Sequence, residues 1–344
     1  DLHRRRHSFP TRRSSDLYRF TLLFVAFGMA LLADIILGSV NIPLSEIWGT
    51  LTGHEGNEIY REIILNHRIP KALTAICTGA ALSVAGVMMQ TLFHNPLAGP
   101  DVLGVTSGAS LGVALLTLST AALPFAFVSG WGQVLAAVIG ATAVLLLIIV
   151  ASVKIPQTVS LLIIGMMFGN FAGAIVSIMQ SISNPDMLKL FITWTFGSLS
   201  SVGWEQMWVM VFAIMGGLFM AFLLQKQLNI FLLGKNYAAG LGISVMRLRF
   251  LVILATALLA GTSTAFTGPI AFIGITMPHI ARGLMETSNH RIIFPAVILC
   301  GATVMLLCDI ISQLPGTQGT LPINAVTALF GAPVIVWIII KNKG

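Results

Sequence analysis

Apolar runs of about 20 residues recur along almost the whole chain, separated by short stretches rich in glycine, proline and polar residues. A helix of that length crosses a hydrocarbon core of roughly 30 Å. No stretch remains for a sizeable water-soluble domain, so the predicted fold class is an all-α polytopic membrane protein. We predict about ten transmembrane helices, near residues 18–38, 71–91, 100–120, 132–152, 157–180, 206–225, 249–267, 270–285, 292–312 and 322–340.

The composition supports this fold class, because 56% of the residues are hydrophobic and only 9% are charged. A soluble domain carries roughly a quarter charged residues. The net charge of +7 does not indicate a nucleic-acid partner, since five of the nineteen basic residues lie in the first 17 positions. The rest of the chain has 14 basic and 10 acidic residues.

The amino-terminal segment differs from the rest of the chain. Residues 7–17, HSFPTRRSSDL, lack the apolar core of a signal peptide and join the first predicted helix abruptly at Tyr18. They resemble a translated sequencing adapter, so we predict that residues 1–17 are non-native and that residues 18–344 form one transmembrane domain. The alternative is a genuine basic cytoplasmic tail.

Lysine and arginine predict the orientation, because cytoplasmic loops are enriched in them. With the amino terminus inside, ten of the fourteen basic residues after position 17 are cytoplasmic. An even number of spans returns the carboxyl terminus to the same side. We therefore expect a multi-pass protein of the bacterial inner membrane with both termini in the cytoplasm. The basic residues on the outer side are Arg61, Arg68, Lys71 and Lys189.

Two predicted cytoplasmic loops have unusual sequences. In residues 95–101, NPLAGPD, two prolines and a glycine favour a compact turn, and Asp101 is suited to the first turn of the next helix. A tight turn with a cap explains this loop without a ligand. Residues 233–242, LGKNYAAGLG, predict a short surface helix between glycines, a shape that suits contact with a cytoplasmic partner.

Two cations on the predicted outer side, Arg68 and Lys71, flank Ile69 and Pro70. Cations kept there against the positive-inside bias suit pairing with carboxylates of a docking protein. A pair that reaches to the membrane interface is the alternative.

The chain has no G-x-x-x-x-G-K-[ST] phosphate loop and no H-E-x-x-H motif, so ATP would have to be handled by another chain. Cys77, Cys300 and Cys308 form no C-x-x-C pair and indicate packing. A metal site from His94, His279 and His290 would need long-range contacts. We predict no cofactor, no metal and no catalytic residues.

Intramembrane ionisable residues usually mark a pathway. Only Asp34, Asp309 and His279 qualify, fewer than a proton-coupled relay needs. An ion-coupled secondary transporter remains the alternative class. An intramembrane aspartyl enzyme would need Asp34 and Asp309 at one depth and in contact.

Several motifs resemble the FecCD family of ABC importer permeases, which includes ferric siderophore, haem and cobalamin permeases. The similarity runs from about Tyr18 to Lys341. The matching motifs are Arg68–Lys71, Gly79–Leu82, Gly86, Gln90, Asn95–Asp101, Leu103–Gly104, Ser107–Ala109, Trp194, Gly197–Leu199, Leu233–Gly242, Gly268–Gly274, Pro278–Arg282, Asp309 and Gly331–Pro333.

This resemblance implies a type II ABC importer permease that is not itself an enzyme. Expected partners are a second permease subunit, identical or paralogous, two cytoplasmic ATPase subunits, and a periplasmic or lipid-anchored substrate-binding protein. Arg68 and Lys71 correspond to the outer pair that meets the binding protein. The ATPase-coupling residues would be Leu233, Gly234, Lys235, Ala238, Gly240, Leu241 and Gly242, and the structural motif residues Asn95, Pro96, Pro100, Asp101, Gly104, Pro278, His279 and Arg282.

The expected substrate is an iron chelate, a ferric siderophore or haem, because such systems dominate the family; cobalamin is the alternative. The sequence departs from the family pattern at three positions. Gln313 stands where many members have an outer arginine, and Thr320 and Asn324 replace the usual glutamate and glycine. These changes indicate a divergent branch.

Overall fold

The computed structural model describes residues 12–38, 40–52, 57–119, 130–155, 157–313 and 320–341, and every regular element in these ranges is a helix. A π-helical segment, Ile63–Arg68, joins α3 to α4, and a 3₁₀ turn, Pro100–Leu103, precedes α5. Most of residues 1–17 lie outside the described ranges. The helices are α1 Arg12–Ile36, α2 Leu44–Thr52, α3 Glu58–Glu62, α4 Ile69–Phe93, α5 Val105–Thr117, α6 Trp131–Lys154, α7 Thr158–Ile182, α8 Pro185–Thr195, α9 Trp204–Phe231, α10 Lys235–Gly240, α11 Val245–Thr267, α12 Ile273–Met285, α13 His290–Ser312 and α14 Ile323–Lys341.

Seven of these helical stretches are long and apolar enough to cross a membrane. They contain α1, α4, α6, α7, α9, α11 and α13. The other three predicted spans coincide with α5 and α12, of 13 residues each, and α14, of 19 residues. The all-helical membrane fold is therefore confirmed, and the exact number of ten crossings stays a prediction.

The long helices divide into an inner and a peripheral group. Within their most apolar windows, 83% of the residues are buried in the stretch containing α4, and 78% in α11 and in α13. The corresponding share in α1, α6, α7 and α9 is between 11% and 33%. Since lipid tails are as apolar as leucine, the peripheral helices can leave apolar faces exposed without cost. Hence α4, α11 and α13 form the centre of the subunit.

Glycine lets the central helices approach closely. A Cβ atom built on Gly86 of α4 would lie 1.7 Å from the carbonyl oxygen of Gly274 in α12. A Cβ on Gly79 would lie 2.3 Å from the carbonyl oxygen of Gly301 in α13. Both contacts are with backbone, which cannot move aside as a flexible side chain can. The backbone of α4 therefore lies close to α12 at Gly86 and close to α13 at Gly79, as small residues at a helix interface allow.

We expect Gly86→Ala to lower the free energy of unfolding by at least about 1–3 kcal/mol, because overpacking forces the α4 and α12 backbones apart. The matched control is Gly173→Ala in α7, where an added Cβ meets nothing within 4 Å. Thermal unfolding of the purified protein, followed by near-UV circular dichroism, measures the difference. Equal unfolding temperatures for the two variants would show that α4 and α12 pack less closely than these distances require.

Side-chain contacts show which loops lie at the same end of the bundle. The basic end comprises residues 94–104, 155, 157, 232–244 and 286–289, where Arg249 donates to the carbonyl of Ile155 and Arg19 pairs with Glu286. The opposite end comprises residues 37, 38, 40–43, 196–203 and 268–272 and the segment Ile63–Arg68, where Trp204 donates to the carbonyl of Leu65. The predicted cytoplasmic and outer loops are thus grouped at two different ends.

Candidate functional site

The segment 232–244, here called the coupling segment, contains the short helix predicted from its sequence. Helix α10 is six residues long, and glycines lie on both sides of it. Gly234 has φ of +110° and Gly242 has φ of +82°, in the region that strains residues with a Cβ atom. These two glycines therefore fix where the short helix begins and where the chain turns into α11.

The coupling segment has a buried anchor and an exposed apolar surface. Ala238 is fully buried and packs in the main core. Leu233, Tyr237 and Leu241 point outward, with 66%, 55% and 56% of their surface exposed. Gly240 is also exposed, and a Cβ there would meet nothing within 4 Å. Exposed apolar side chains clustered beside polar loops are typical of a protein-interaction surface.

The coupling segment is tied to the loop after α4 through His94. This residue ends α4 in the left-handed conformation, with φ of +48°. Its Nε2 atom lies 3.1 Å from the carbonyl oxygen of Phe231, and the two rings are 5.0 Å apart. Phe231 is the last residue of α9. The residue directly before the coupling segment is therefore in contact with the end of the central helix α4.

The compact turn predicted for residues 95–101 from two prolines and a glycine is present, and it continues to Gly104. The side chain of Asn95 accepts a hydrogen bond from the backbone of Leu97 at 2.9 Å. Asp101 lies in the first turn of the 3₁₀ segment that starts at Pro100 and accepts a 2.6 Å hydrogen bond from Thr106. Gly104, with φ of +72°, turns the chain into α5. Asn95, Asp101 and Gly104 therefore stabilise the shape of this loop.

Helix α12 brings the second half of the structural motif against this loop. Pro278 lies inside the helix, and the next residue, His279, has its Nε2 atom 2.8 Å from the carbonyl oxygen of Pro96. One turn later, Arg282 donates to Oε1 of Gln90 at 2.5 Å. The structure thus brings the two parts of the predicted structural motif into contact through His279 and Pro96, and Arg282 joins α12 to α4 through Gln90.

A second polar network at the basic end was not predicted from the sequence. His290, at the start of α13, is 1% exposed. Its Nδ1 atom lies 2.7 Å from Oδ1 of Asn229, and its Nε2 atom lies 3.0 Å from Oγ1 of Thr91. This network joins α4, α9 and α13. The sequence does contain a signal for this network, because Asn229 is a polar residue four positions before Leu233, where the predicted coupling loop begins.

At the opposite end, Arg68 is buried and holds the carboxyl end of α1. Its guanidinium group donates hydrogen bonds to the carbonyl oxygens of Ile35 at 2.6 Å, Ile36 at 2.8 Å and Val40 at 2.5 Å. A cation at this position also complements the negative end of the helix dipole.

Lys71 is equally buried and forms an ion pair, with Nζ 2.6 Å from Oδ2 of Asp309. Arg68 and Lys71 are only 5% and 4% exposed. Neither cation lies free at the surface, and neither interpretation of the pair from the sequence included these internal contacts. Their docking role stays a prediction and requires that the contacts open.

Two of the positions that depart from the family pattern have partners within the chain. Gln313 donates to Oδ2 of Asp309 at 2.8 Å, on the same oxygen that Lys71 contacts. Asn324 accepts from the backbone of Ala271 at 3.1 Å and donates from its own backbone to Phe196 at 3.2 Å. Thr320 is exposed. Gln313 and Asn324 therefore connect elements at the opposite end of the bundle.

A bundle containing seven helices long and apolar enough to cross a membrane, among the described residues, is the architecture of a multi-pass membrane protein. The chain belongs to the FecCD transport family, whose sequence profile matches residues 23–341. It is therefore a permease subunit of an ABC importer in the bacterial inner membrane, a class that works with ATPase and substrate-binding subunits.

Relatives of known name agree with this assignment. The chain is 34% identical to the vitamin B12 import system permease protein BtuC of Klebsiella pneumoniae over 339 residues, which cover 98% of this chain and 97% of the relative. It is 35% identical to BtuC of Salmonella typhi over 276 residues, or 80% and 82% of the two chains.

The fold also matches a solved structure described as an inward-facing conformation of a putative metal-chelate type ABC transporter. The TM-score is 0.82 at 28% identity, and the match covers 94% of this chain and 99% of the other. These relatives do not support the iron chelate expected from the sequence.

Proposed function

We propose that this permease carries a corrinoid of the vitamin B12 type across the inner membrane. The observation that carries the proposal is the 34–35% identity to two BtuC proteins over most of the chain. A corrinoid is a cobalt chelate, so the structural similarity to a metal-chelate type transporter is compatible with it. The proposal replaces the iron chelate as the first candidate and keeps the same class of transporter.

The assembly follows from the class of transporter. Two permease subunits, identical or paralogous, enclose the pathway, and each presents its coupling segment to one ATPase subunit. The exposed side chains of Leu233, Tyr237 and Leu241 supply an apolar contact surface for that subunit. Because Ala238 is buried behind them, the contact surface is rigidly connected to the bundle.

Movement of the ATPases would reach the pathway through the networks at the basic end. Closure of the ATPase pair on ATP displaces the coupling segment, and the contact of His94 with Phe231 passes that displacement to α4. The contact of His279 with Pro96 extends it to α12. ATP thereby stabilises one of two arrangements of the same helices, and the pathway opens alternately to the two sides.

Transport by reconstituted complexes tests the substrate. Liposomes containing this permease, its ATPase and the binding protein are offered labelled cyanocobalamin, a labelled ferric siderophore and labelled haem in parallel. We expect ATP-dependent uptake of cyanocobalamin, with competition by excess unlabelled cobalamin and not by the iron chelates. Uptake of an iron chelate without uptake of cobalamin would overturn the proposed substrate and leave the transporter class intact.

A further inference from the structure

A groove lies at the basic end, between the last turn of α6 and the first two turns of α11. Its volume is about 350 Å³. The residues that line it are Ser152, Val153, Met246, Arg247, Phe250 and Leu251. All six belong to helices that are long and apolar enough to cross a membrane. This groove, here called the α6–α11 groove, is therefore expected to face lipid rather than water.

The walls of the α6–α11 groove are apolar and largely uncovered. Val153 of α6 is 66% exposed, and Met246 and Phe250 of α11 are 43% and 41% exposed. Leu251 packs partly against the main core. Lining atoms that face an empty groove lose dispersion contacts, which a chain lying in the groove restores. A flexible hydrocarbon chain has the chemistry and the shape that fit these walls.

Two cations lie where the groove reaches the helix ends. Arg247 is in the first turn of α11, and Phe250 and Leu251 follow it at the spacings of three and four that place residues on one helix face. Lys154 is the last residue of α6 and directly follows Val153. Both cations are exposed. A phosphate at the level of the lipid headgroups would thus meet positive charge, while its acyl chain lies along the apolar walls.

These two cations have no nearby carboxylate in the sequence. Residues 102–185 and 206–285, which include the whole of α6 and α11, contain no aspartate or glutamate. Neither Arg247 nor Lys154 forms an ion pair within the part of the chain that the structure describes. The positive charge at the end of the groove is therefore available to an anion from outside the chain.

A third cation covers the negative end of α6. Arg249 is 2% exposed and donates to the carbonyl oxygens of Ile155 at 2.9 Å and Ser152 at 3.5 Å. An uncovered carboxyl end would repel an anion, because the helix dipole places negative charge there. Arg249 offsets this repulsion and also ties the end of α6 to α11. The two walls of the groove are therefore held together next to a positive rim.

We propose that the α6–α11 groove binds one anionic phospholipid, with an acyl chain along Val153, Phe250 and Leu251 and the phosphate facing Arg247 and Lys154. Basic pockets between membrane helices on the cytoplasmic side suit such headgroups. The apolar walls favour a lipid over free phosphate, which has no chain to fill them. The bound lipid lies next to the coupling segment, because α11 begins directly after residue 244. The proposal does not depend on which substrate the permease carries.

Native mass spectrometry of the complex of permease and ATPase tests the site, with phosphatidylglycerol and phosphatidylcholine added at equal concentrations. We expect each wild-type permease subunit to retain one phosphatidylglycerol in preference to phosphatidylcholine. Arg247→Gln should reduce this retention about fivefold, the effect of one cation near an anionic membrane surface. The matched control Arg291→Gln removes an exposed arginine from the start of α13 at the same end, and it should retain the lipid as wild type does.

Val153→Trp tests the apolar half of the site, because it places an indole in the groove and leaves both cations in place. We expect this variant to lose phosphatidylglycerol while the complex stays assembled. Equal lipid loss from Arg247→Gln and Arg291→Gln, or full retention by Val153→Trp, would overturn the proposal and mean that anionic lipids collect at the basic end without a defined site. Loss of the ATPase from Arg247→Gln and Val153→Trp with unchanged lipid would also overturn it and assign the groove to that subunit.

Discussion

Replacing Gly240 with arginine should reduce ATP-dependent uptake to background, at least tenfold, while the permease folds and inserts normally. The substituted side chain has room, because a Cβ at Gly240 meets no atom within 4 Å and the residue is not in the left-handed conformation. Arginine would place a charge beside Tyr237 and Leu241 on the exposed apolar surface of the coupling segment. A charge left without a partner in an interface core is costly, so coupling to the ATPase should fail.

The matched control is Ser288→Arg, which adds the same side chain to an exposed position of a different loop at the basic end. Uptake, ATPase activity and co-purification of the ATPase are measured for both variants and for the wild type. We expect the control to behave as wild type. Normal uptake by Gly240→Arg would mean that the coupling segment is not the contact that transmits ATP hydrolysis.

Replacing Lys71 with methionine should lower the free energy of unfolding by about 3–5 kcal/mol, the usual cost of removing one partner of a buried ion pair. The ion pair of Lys71 with Asp309 is short and almost fully buried, so water cannot replace the lost partner. Asp309→Leu should be comparably destabilising, because it leaves the ammonium group unpaired. Thermal and chemical unfolding of the purified subunit provide the measurement.

The double variant Lys71→Met with Asp309→Leu provides the control. Replacing a whole buried ion pair with apolar side chains is often neutral or stabilising, so the double variant should recover the larger part of the loss. The predicted docking role of Lys71 would be favoured by a different result for the single variant. If Lys71→Met keeps wild-type stability but weakens capture of the binding protein, the buried pair opens on docking and Lys71 acts at that interface.

The sequence predicts the membrane fold well because length and hydropathy are local properties. The helix positions, the turn from Asn95 to Asp101 and the short helix between Gly234 and Gly242 all follow from apolar runs, prolines and glycines. The same signals do not settle the number of crossings. Helices α5 and α12 have 13 residues each, so length alone cannot tell a complete crossing from a partial one.

Long-range pairing was harder to predict than local structure. Arg68 and Lys71 are cations beside a proline at a predicted helix start, which the sequence cannot distinguish from a surface pair. Their partners are at Ile35 and Asp309, 33 and 238 positions away in the chain. The pairing depends on how α1, α4 and α13 pack.

The most direct test of the assigned class compares uptake by the reconstituted permease with and without its ATPase, in the presence of the binding protein and an ATP-regenerating system. The substrate is the one that accumulates in the parallel uptake assay. We predict accumulation only when both ATP and an ATPase competent for hydrolysis are present. Accumulation that persists without the ATPase, driven by an ion gradient, would contradict the assignment and identify a secondary transporter.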